Sequence, residues 1–384
     1  MAEVNAKFIS QKISKIRWRP TSQKGLEQSD TFVTGSWDNG AANKVCLWTQ
    51  AEGEKEQLNF SVSRQQPPES GPRLLCEVLH CGDVTDIQFF NHENILVASS
   101  TGQVNLYKHF KNSQTLGVAQ SWHVHKNKQS PCPCTSVACR GQDVVTAGED
   151  GRLNILAIGQ QAPVRSIEKA DSCSINGVNY YKHYEVITVN SSGQLKVYDL
   201  RQPEDEPSRI FLLTGERIPL HCVDTHPSQP HIVATGGQDG VLCIWDMRQE
   251  KFPVTLLDAH AADMWEVKFH PRYPDNLFTC SEDGTVWHWD VTSVSHTRTP
   301  AQSQGTPGSV QSRTVHHLPA TTQPKPSGSN PWLTIDASKH RIEVTNLMHG
   351  SNFLPINTLD IESNTVICGG DSEAIYVIPN LVIR

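Results

Sequence analysis

The residue types best able to do chemistry gather between positions 260 and 290: His260, Thr279, Asp283 and Trp289. A partial copy, Thr235, Asp239 and Trp245, lies just upstream. A hydroxyl, an imidazole and a carboxylate are the parts of a nucleophilic relay. That relay also needs an exposed nucleophile beside an oxyanion hole, and no motif in the chain supplies one. The same groups can instead satisfy one another: indole N–H to hydroxyl, hydroxyl to imidazole, and the second ring nitrogen to a carboxylate. A second cluster, WHVHKNKQSPCPC at 122–134, offers His123, His125, Cys132 and Cys134 as zinc ligands. Its His-x-His and Cys-x-Cys spacings are not those of structural zinc sites, so it reads as a loop. With no Gly-rich phosphate loop either, neither a cofactor nor a small-molecule substrate is expected.

The elements that must position these residues are short strands. IVATGGQDGVLCIWD (232–246) and LFTCSEDGTVWHWD (277–290) share one grammar. In each, an apolar run leads to small or hydroxyl residues, then Asp-Gly, then an alternating stretch ending in Trp-Asp. The Asp239-Gly240 and Asp283-Gly284 pairs suit two-residue type I′ hairpins. The glycine signature recurs at Gly102, Gly151, Gly193, Gly240 and Gly284, with spacings of 49, 42, 47 and 44 residues. Degenerate copies lie at 33–40 and 366–374. Tyr107, Leu156, Tyr198, Trp245 and Trp289 each follow their glycine by five positions. A period in the forties with four short strands per unit is that of WD-repeat blades.

An apolar strand precedes each turn, at 13–20, 84–90, 135–139, 175–181, 220–227, 264–271 and 356–362. Seven such strands and seven turns predict a single all-β domain over 1–384, a seven-bladed WD-repeat β-propeller. The chain ends one strand short of a full last blade, and AKFISQ (6–11) has no blade of its own. That N-terminal strand is therefore expected to complete blade seven and close the ring. Two interruptions stand outside the blades: a polar, acidic loop at 50–72 and a Ser/Thr/Pro/Gln-rich run at 292–331. The second is too poor in apolar residues to offset the entropy of ordering it, so disorder is expected there.

Composition narrows the function classes. With 33 Lys and Arg against 40 Asp and Glu, the formal net charge of −7 argues against nucleic acid as a direct partner. The 11 cysteines form no framework, and several fall inside apolar strands, which points to a reducing compartment without structural disulfides. No leader-like or membrane-spanning apolar stretch is seen, so no membrane insertion is expected. Lys12, Lys15, Arg17 and Arg19 flank an apolar strand and read as its wet side; Glu204–Glu206 reads as a solvated loop. Ser130, Thr299 and Thr306 each precede proline and are candidate phosphorylation sites.

The repeats identify the chain as resembling the WD-repeat family, whose members bury a His, Ser/Thr, Asp and Trp tetrad in a blade. That resemblance implies that His260, Thr279, Asp283 and Trp289 form the complete tetrad. Thr235, Asp239 and Trp245 would form a partial one, with Glu216 where histidine would align. Blade two keeps His80 and Asp83, blade three Thr146 and Asp150, and blade four Thr188. Tyr198-Asp-Leu-Arg201 and Trp245-Asp-Met-Arg248 resemble the Trp-Asp-x-Arg box of WD-repeat substrate receptors of cullin-RING ubiquitin ligases. There the arginine reaches the adaptor; the plainer reading is a turn-capping Asp and a solvated Arg.

Longer blocks, among them KFISQKISKIRWRP, PLHCVDTHPSQPHIVATGGQDGVLCIWDMRQ, AHAADMWEVKFHP and DSEAIYVI, resemble the small single-propeller WD-repeat nucleoporins of the Y-shaped outer-ring scaffold. The resemblance implies a non-enzymatic scaffold subunit of the nuclear pore complex, docked beside α-solenoid nucleoporins on the short arm of the Y. Location at the nuclear envelope, roles in protein and mRNA transport, and visits to kinetochores in mitosis go with it. Candidate partner contacts are Asp83, Thr85, Asp263, Met264 and Trp265 at loop–strand junctions, with Arg201 and Arg248 on the rim.

Overall fold

A strand that alternates, ends in a tight turn and is apolar on both faces can be covered only by neighbours of its own kind. The computed structural model describes residues 3–21, 29–38, 42–50, 71–128, 130–213, 217–249, 252–293, 330–333, 342–348 and 354–384. Within them, seven antiparallel four-stranded sheets form the blades. Their innermost strands are Ile13–Trp18, Val84–Phe89, Cys134–Arg140, Ile175–Lys182, Leu220–Thr225, Met264–Phe269 and Ile356–Glu362. Each packs on the next, and that of blade seven packs on that of blade one, so the fold is a closed seven-bladed propeller. The closing strand is N-terminal: Asn5–Phe8 pairs antiparallel with Ala374–Ile378, placing Asn5 opposite Val377 and Phe8 opposite Ala374.

The hairpins between second and third strands differ from the type I′ expectation. Gly240 N–H bonds to Gly237 O at 3.1 Å, and Gly284 N–H to Ser281 O at 3.2 Å. In both, only the glycine has positive φ, whereas type I′ requires it of Asp239 and Asp283 as well. Gly240 is needed for space too. A Cβ there would lie 2.5 Å from the carbonyl oxygen of His260, where the chain passes into blade six. His260 N–H in turn donates to Gly240 O at 3.0 Å.

Polar side chains on the innermost strands stitch each blade to the next around the central channel. Asp86 accepts from Val137 N–H at 3.0 Å, Glu266 from Leu359 N–H at 2.9 Å, and Thr358 from Ile16 N–H at 3.0 Å. One register lower, Asp224 takes Phe269 N–H at 2.8 Å and Asp360 takes Trp18 N–H at 2.7 Å. Arg17, expected on a wet strand face, is instead buried in the channel wall. Its guanidinium holds Glu266 at 2.7 and 3.1 Å and reaches Asp86 at 3.4 Å, while Lys15 Nζ also meets Glu266 at 2.7 Å. Burial opposes ionisation of Glu266, but the Arg17 and Lys15 charges hold its pKa well below the usual carboxylate range. One carboxylate thus ties blades one, six and seven together. Removing either partner of such a buried pair strands the other charge.

The long Ser/Thr/Pro/Gln-rich run ends earlier than its composition suggests. Asn330 is buried, and Pro331–Leu333 form a turn of 3₁₀ helix that drives Trp332 into the core of blades five and six. Its indole N–H donates to Pro274 O at 2.9 Å, and its ring meets Phe269 edge-on with centroids 5.9 Å apart. Residues 51–70 and 294–329 lie outside the described residues. Both leave the ring between third and fourth strands, on the face opposite the one where the innermost strands begin.

Candidate functional site: blade fasteners and the channel mouth

In blade six, Trp289 Nε1–H donates to Thr279 Oγ1 at 3.1 Å, and Thr279 Oγ1 lies 2.8 Å from His260 Nε2. His260 Nδ1 faces Thr285 Oγ1 at 2.9 Å and Asp283 Oδ2 at 3.3 Å. A proton on Nδ1 directed at Asp283 lets the Thr279 hydroxyl accept from Trp289 and donate to Nε2. Asp283 also takes Ala261 N–H at 2.9 Å and the Thr285 hydroxyl at 2.6 Å. Burial pushes its pKa up, but these bonds from His260 and Thr285 outweigh that and hold it low. Thr279 is fully buried and its oxygen is engaged twice. That geometry fastens strands and occupies the Thr279 oxygen.

Blade three holds a second arrangement of this kind, of which the sequence shows Thr146 and Asp150 but not the histidine that joins them. His125 Nε2 lies 2.8 Å from Thr146 Oγ1, and its Nδ1 lies 2.9 Å from Asp150 Oδ1. His125 is thus a fastener of blade three and not a free ligand. Among the described residues no group of three or more His, Cys, Asp or Glu has metal-binding geometry. The remaining blades are simpler. Trp245 Nε1–H donates to Thr235 Oγ1 at 2.9 Å, but Asp239 stays in its own turn, accepting Val241 N–H at 3.1 Å. The slot that histidine fills in blade six is held here by buried Leu213, whose N–H bonds to Gly193 O. Glu216, aligned to that slot by sequence, lies outside the described residues. In blade two His80 Nδ1 pairs with the Tyr107 hydroxyl at 2.9 Å, while Asp83 accepts from Asn43 Nδ2 of blade one at 2.9 Å.

The rim arginines are held locally. Arg201 grips Asp199 with Nε at 2.9 Å and Nη2 at 2.7 Å, and Arg248 grips Asp246 at the same two distances. Both Asp side chains also cap the turn, accepting the arginine's own backbone N–H at 3.0 Å. Ser130 is exposed in a two-rung hairpin of Lys126–Asn127 with Ser130–Pro131; Thr299 and Thr306 fall outside the described residues.

The channel mouth breaks the ring's near-symmetry. Every innermost strand has a bulge at its second residue, at Ser14, Thr85, Thr135, Asn176, His221, Trp265 and Asn357. A bulge re-aims one side chain at the rim of a sheet. In four blades that side chain donates to the first carbonyl of the next innermost strand: Thr85 to Cys134, Thr135 to Ile175, Asn176 to Leu220 and Asn357 to Ile13. Thr85 is therefore a joint between blades. Three blades depart from this belt. In blade one Ser14 Oγ–H donates within its own blade, to Gly35 O at 3.2 Å. In blades five and six the bulge residues are aromatic. His221 Nε2 turns to Asp263 Oδ2 at 3.0 Å, and its ring lies over Trp265 with centroids 5.1 Å apart. Trp265 packs partly on the core between blades six and seven, and its buried indole N–H has no acceptor. Met264, expected as a contact, is fully buried against Gly236 and is unavailable to a partner.

Seven blades, a fastened ring and tetrad-bearing repeats define a WD-repeat β-propeller. The family model described as WD domain, G-beta repeat matches residues 208–246 and 251–290. Over 388 aligned residues the chain is 46% identical to Nucleoporin Nup43 of Homo sapiens, covering 99% of this chain and 100% of that one. Its identity to Nucleoporin Nup43 of Mus musculus is also 46%, over 98% of each chain. A more distant relative, the nuclear pore complex protein nup43 of Dictyostelium discoideum, is 29% identical over 127 residues, 33% of this chain and 30% of that one. The chain belongs to the Nup43 family of nucleoporins.

Proposed function

We propose that this protein is a non-enzymatic scaffold subunit of the nuclear pore complex outer ring, a rigid platform on which other nucleoporins dock. The observation that carries the reading is the 46% identity running from end to end of the human nucleoporin, with neither chain left largely uncovered. The blade-to-blade polar joints and the Arg17–Glu266 pair support it physically, since a docking platform gains affinity from a surface that is already ordered. The finer reading places the propeller on the short arm of the Y-shaped complex, against an α-solenoid nucleoporin, at the nuclear envelope. Support for protein and mRNA transport follows from that position, and a kinetochore visit in mitosis goes with the same complex.

A fluorescent tag at the endogenous locus, followed by affinity purification, tests the proposal. Rim fluorescence at the nucleus and near-equal recovery of α-solenoid nucleoporins are expected. Recovery of a cullin adaptor instead, lost on Arg201→Ala and Arg248→Ala, would replace the scaffold reading with that of a ligase receptor. Mitotic imaging of the same cells decides the kinetochore element.

A further inference from the structure

We propose that the channel mouth at blades five and six is the docking point for a basic segment of a partner protein, with Trp265 as its anchor. The proposal names a surface for the scaffold role and so rests on that reading. Three independent observations converge on it.

The first is the break in the belt of bulge residues. Four blades spend this side chain on the next blade's carbonyl and blade one spends it on its own second strand, whereas His221 and Trp265 are turned to one another beside Asp263. The second is the indole N–H of Trp265, buried with no acceptor. A buried donor left unmade costs about 1–3 kcal/mol, so a native acceptor is called for. Trp265 is itself only half-buried, so a turn of its ring on docking brings that N–H to a backbone carbonyl of the bound segment.

The third is charge. On this face the loops of blades five to seven carry Asp239, Asp263, Glu282, Asp371 and Glu373; the cations among the described residues of those loops are Arg217 and Lys12, the latter lying over Trp37, while Lys15 at the same mouth is held by Glu266 at 2.7 Å. Glu282 and Asp239 are exposed and Asp263 is half-buried. A Lys or Arg of the partner can lie over the free part of the indole face with its charge between Asp263 and Glu282. The long insertions at 51–70 and 294–329 depart from the opposite face, so neither is rooted beside this mouth.

The test places a photo-cross-linking amino acid, p-benzoylphenylalanine, at exposed Ala261 beside the mouth. A second variant carries it at Ser228 on the opposite face, both in full-length protein expressed in cells. Cross-linked peptides are then mapped by mass spectrometry. Expected is one dominant adduct from position 261, in a pore-protein segment bearing Lys or Arg, and absent from position 228. That adduct should fall about ten-fold on combined Asp263→Asn and Glu282→Gln, and several-fold on Trp265→Phe, which keeps an aromatic face but deletes the donor. An adduct in an acidic or uncharged segment, no adduct from position 261, or indifference to these substitutions overturns the proposal. Nuclear-rim localisation, scored in the same cells, separates the outcomes: rim signal without the expected adduct sinks this inference and leaves the scaffold reading standing. Loss of rim signal in the unsubstituted protein sinks the scaffold reading itself.

Discussion

Blades six and four solve one problem with opposite chemistry. In blade six, His260 bridges Thr279 and Asp283, and Trp289 closes the chain. In blade four the residue whose backbone takes the place of His260 is Asp171, bonded through its N–H to Gly151 O. Its carboxylate accepts Asn190 Nδ2 at 2.7 Å and pairs with Lys196 Nζ at 2.9 Å. Burial drives the Asp171 pKa up, but the Lys196 and Asn190 hydrogen bonds more than offset it. Tyr198, at the position of Trp289, donates to Ala170 O and leaves Thr188 Oγ1 buried without a partner. The comparison teaches that more than one residue set can fasten a blade, and that blade four's set does so with one buried hydroxyl left unpaired.

Substitutions can break that comparison, and the largest effect belongs to Trp289. Trp289→Ala removes a fully buried indole and should cost about 3–5 kcal/mol in urea unfolding; an unchanged midpoint would refute a buried fastener. In blade four, Lys196→Met should cost about 3 kcal/mol because it strands Asp171, and adding Asp171→Leu should recover most of the loss. Failure of the double variant to recover would mean that the ion pair does more than neutralise itself. Thr279→Val should cost about 1–3 kcal/mol, since Trp289 and His260 both lose a partner.

Acid should separate the two blades by another route. Burial lowers the pKa of His80, His226 and His288, in blades two, five and six, to about 4. The unfolded state, with an ordinary histidine pKa near 6.5, binds more protons between these values. Stability from these groups is therefore complete above about pH 6.5 and is lost as pH falls toward 4, by up to about 1.4 kcal/mol per pH unit for each. Hydrogen exchange at pH 7 and pH 5 should show protection falling first in blades two, five and six. Blade four, whose His183 is exposed, should follow later. The smallest effect carries the opposite sign: Thr188→Val deletes an orphaned hydroxyl and should stabilise by about 1 kcal/mol or less. If Thr188→Val and Thr279→Val cost the same, the two blades are not different in the way described.

Much of this was legible because its causes are local. The positive-φ glycines at 102, 151, 193, 240 and 284 mark a turn that needs glycine wherever it occurs, and the bulky residue five positions on must enter the same core. The fastening role of His125 is hidden by a longer loop: His260 stands four residues before the innermost strand of blade six, whereas His125 stands nine before that of blade three. The Lys126–Pro131 hairpin fills the difference. Arg17 and Glu266 lie far apart in the chain, and nothing in either neighbourhood announces a partner across the channel. Trp332 sits just past a low-complexity run, where composition over a window hides one deeply buried residue. The bulges left no pattern either, because Ser, Thr, Asn, His and Trp all occupy the same position.

The closing strand also has a bearing on time. Asn5–Phe8 is made well ahead of its partner, Ala374–Ile378, with six blades of chain between them. During synthesis it waits, with its backbone groups open to any other edge, until the other six blades have emerged. Once paired, this short outer strand is one of two closures: peeling its four residues bares the edge of blade seven, while the joints from Thr358 and Asp360 to blade one still hold the ring.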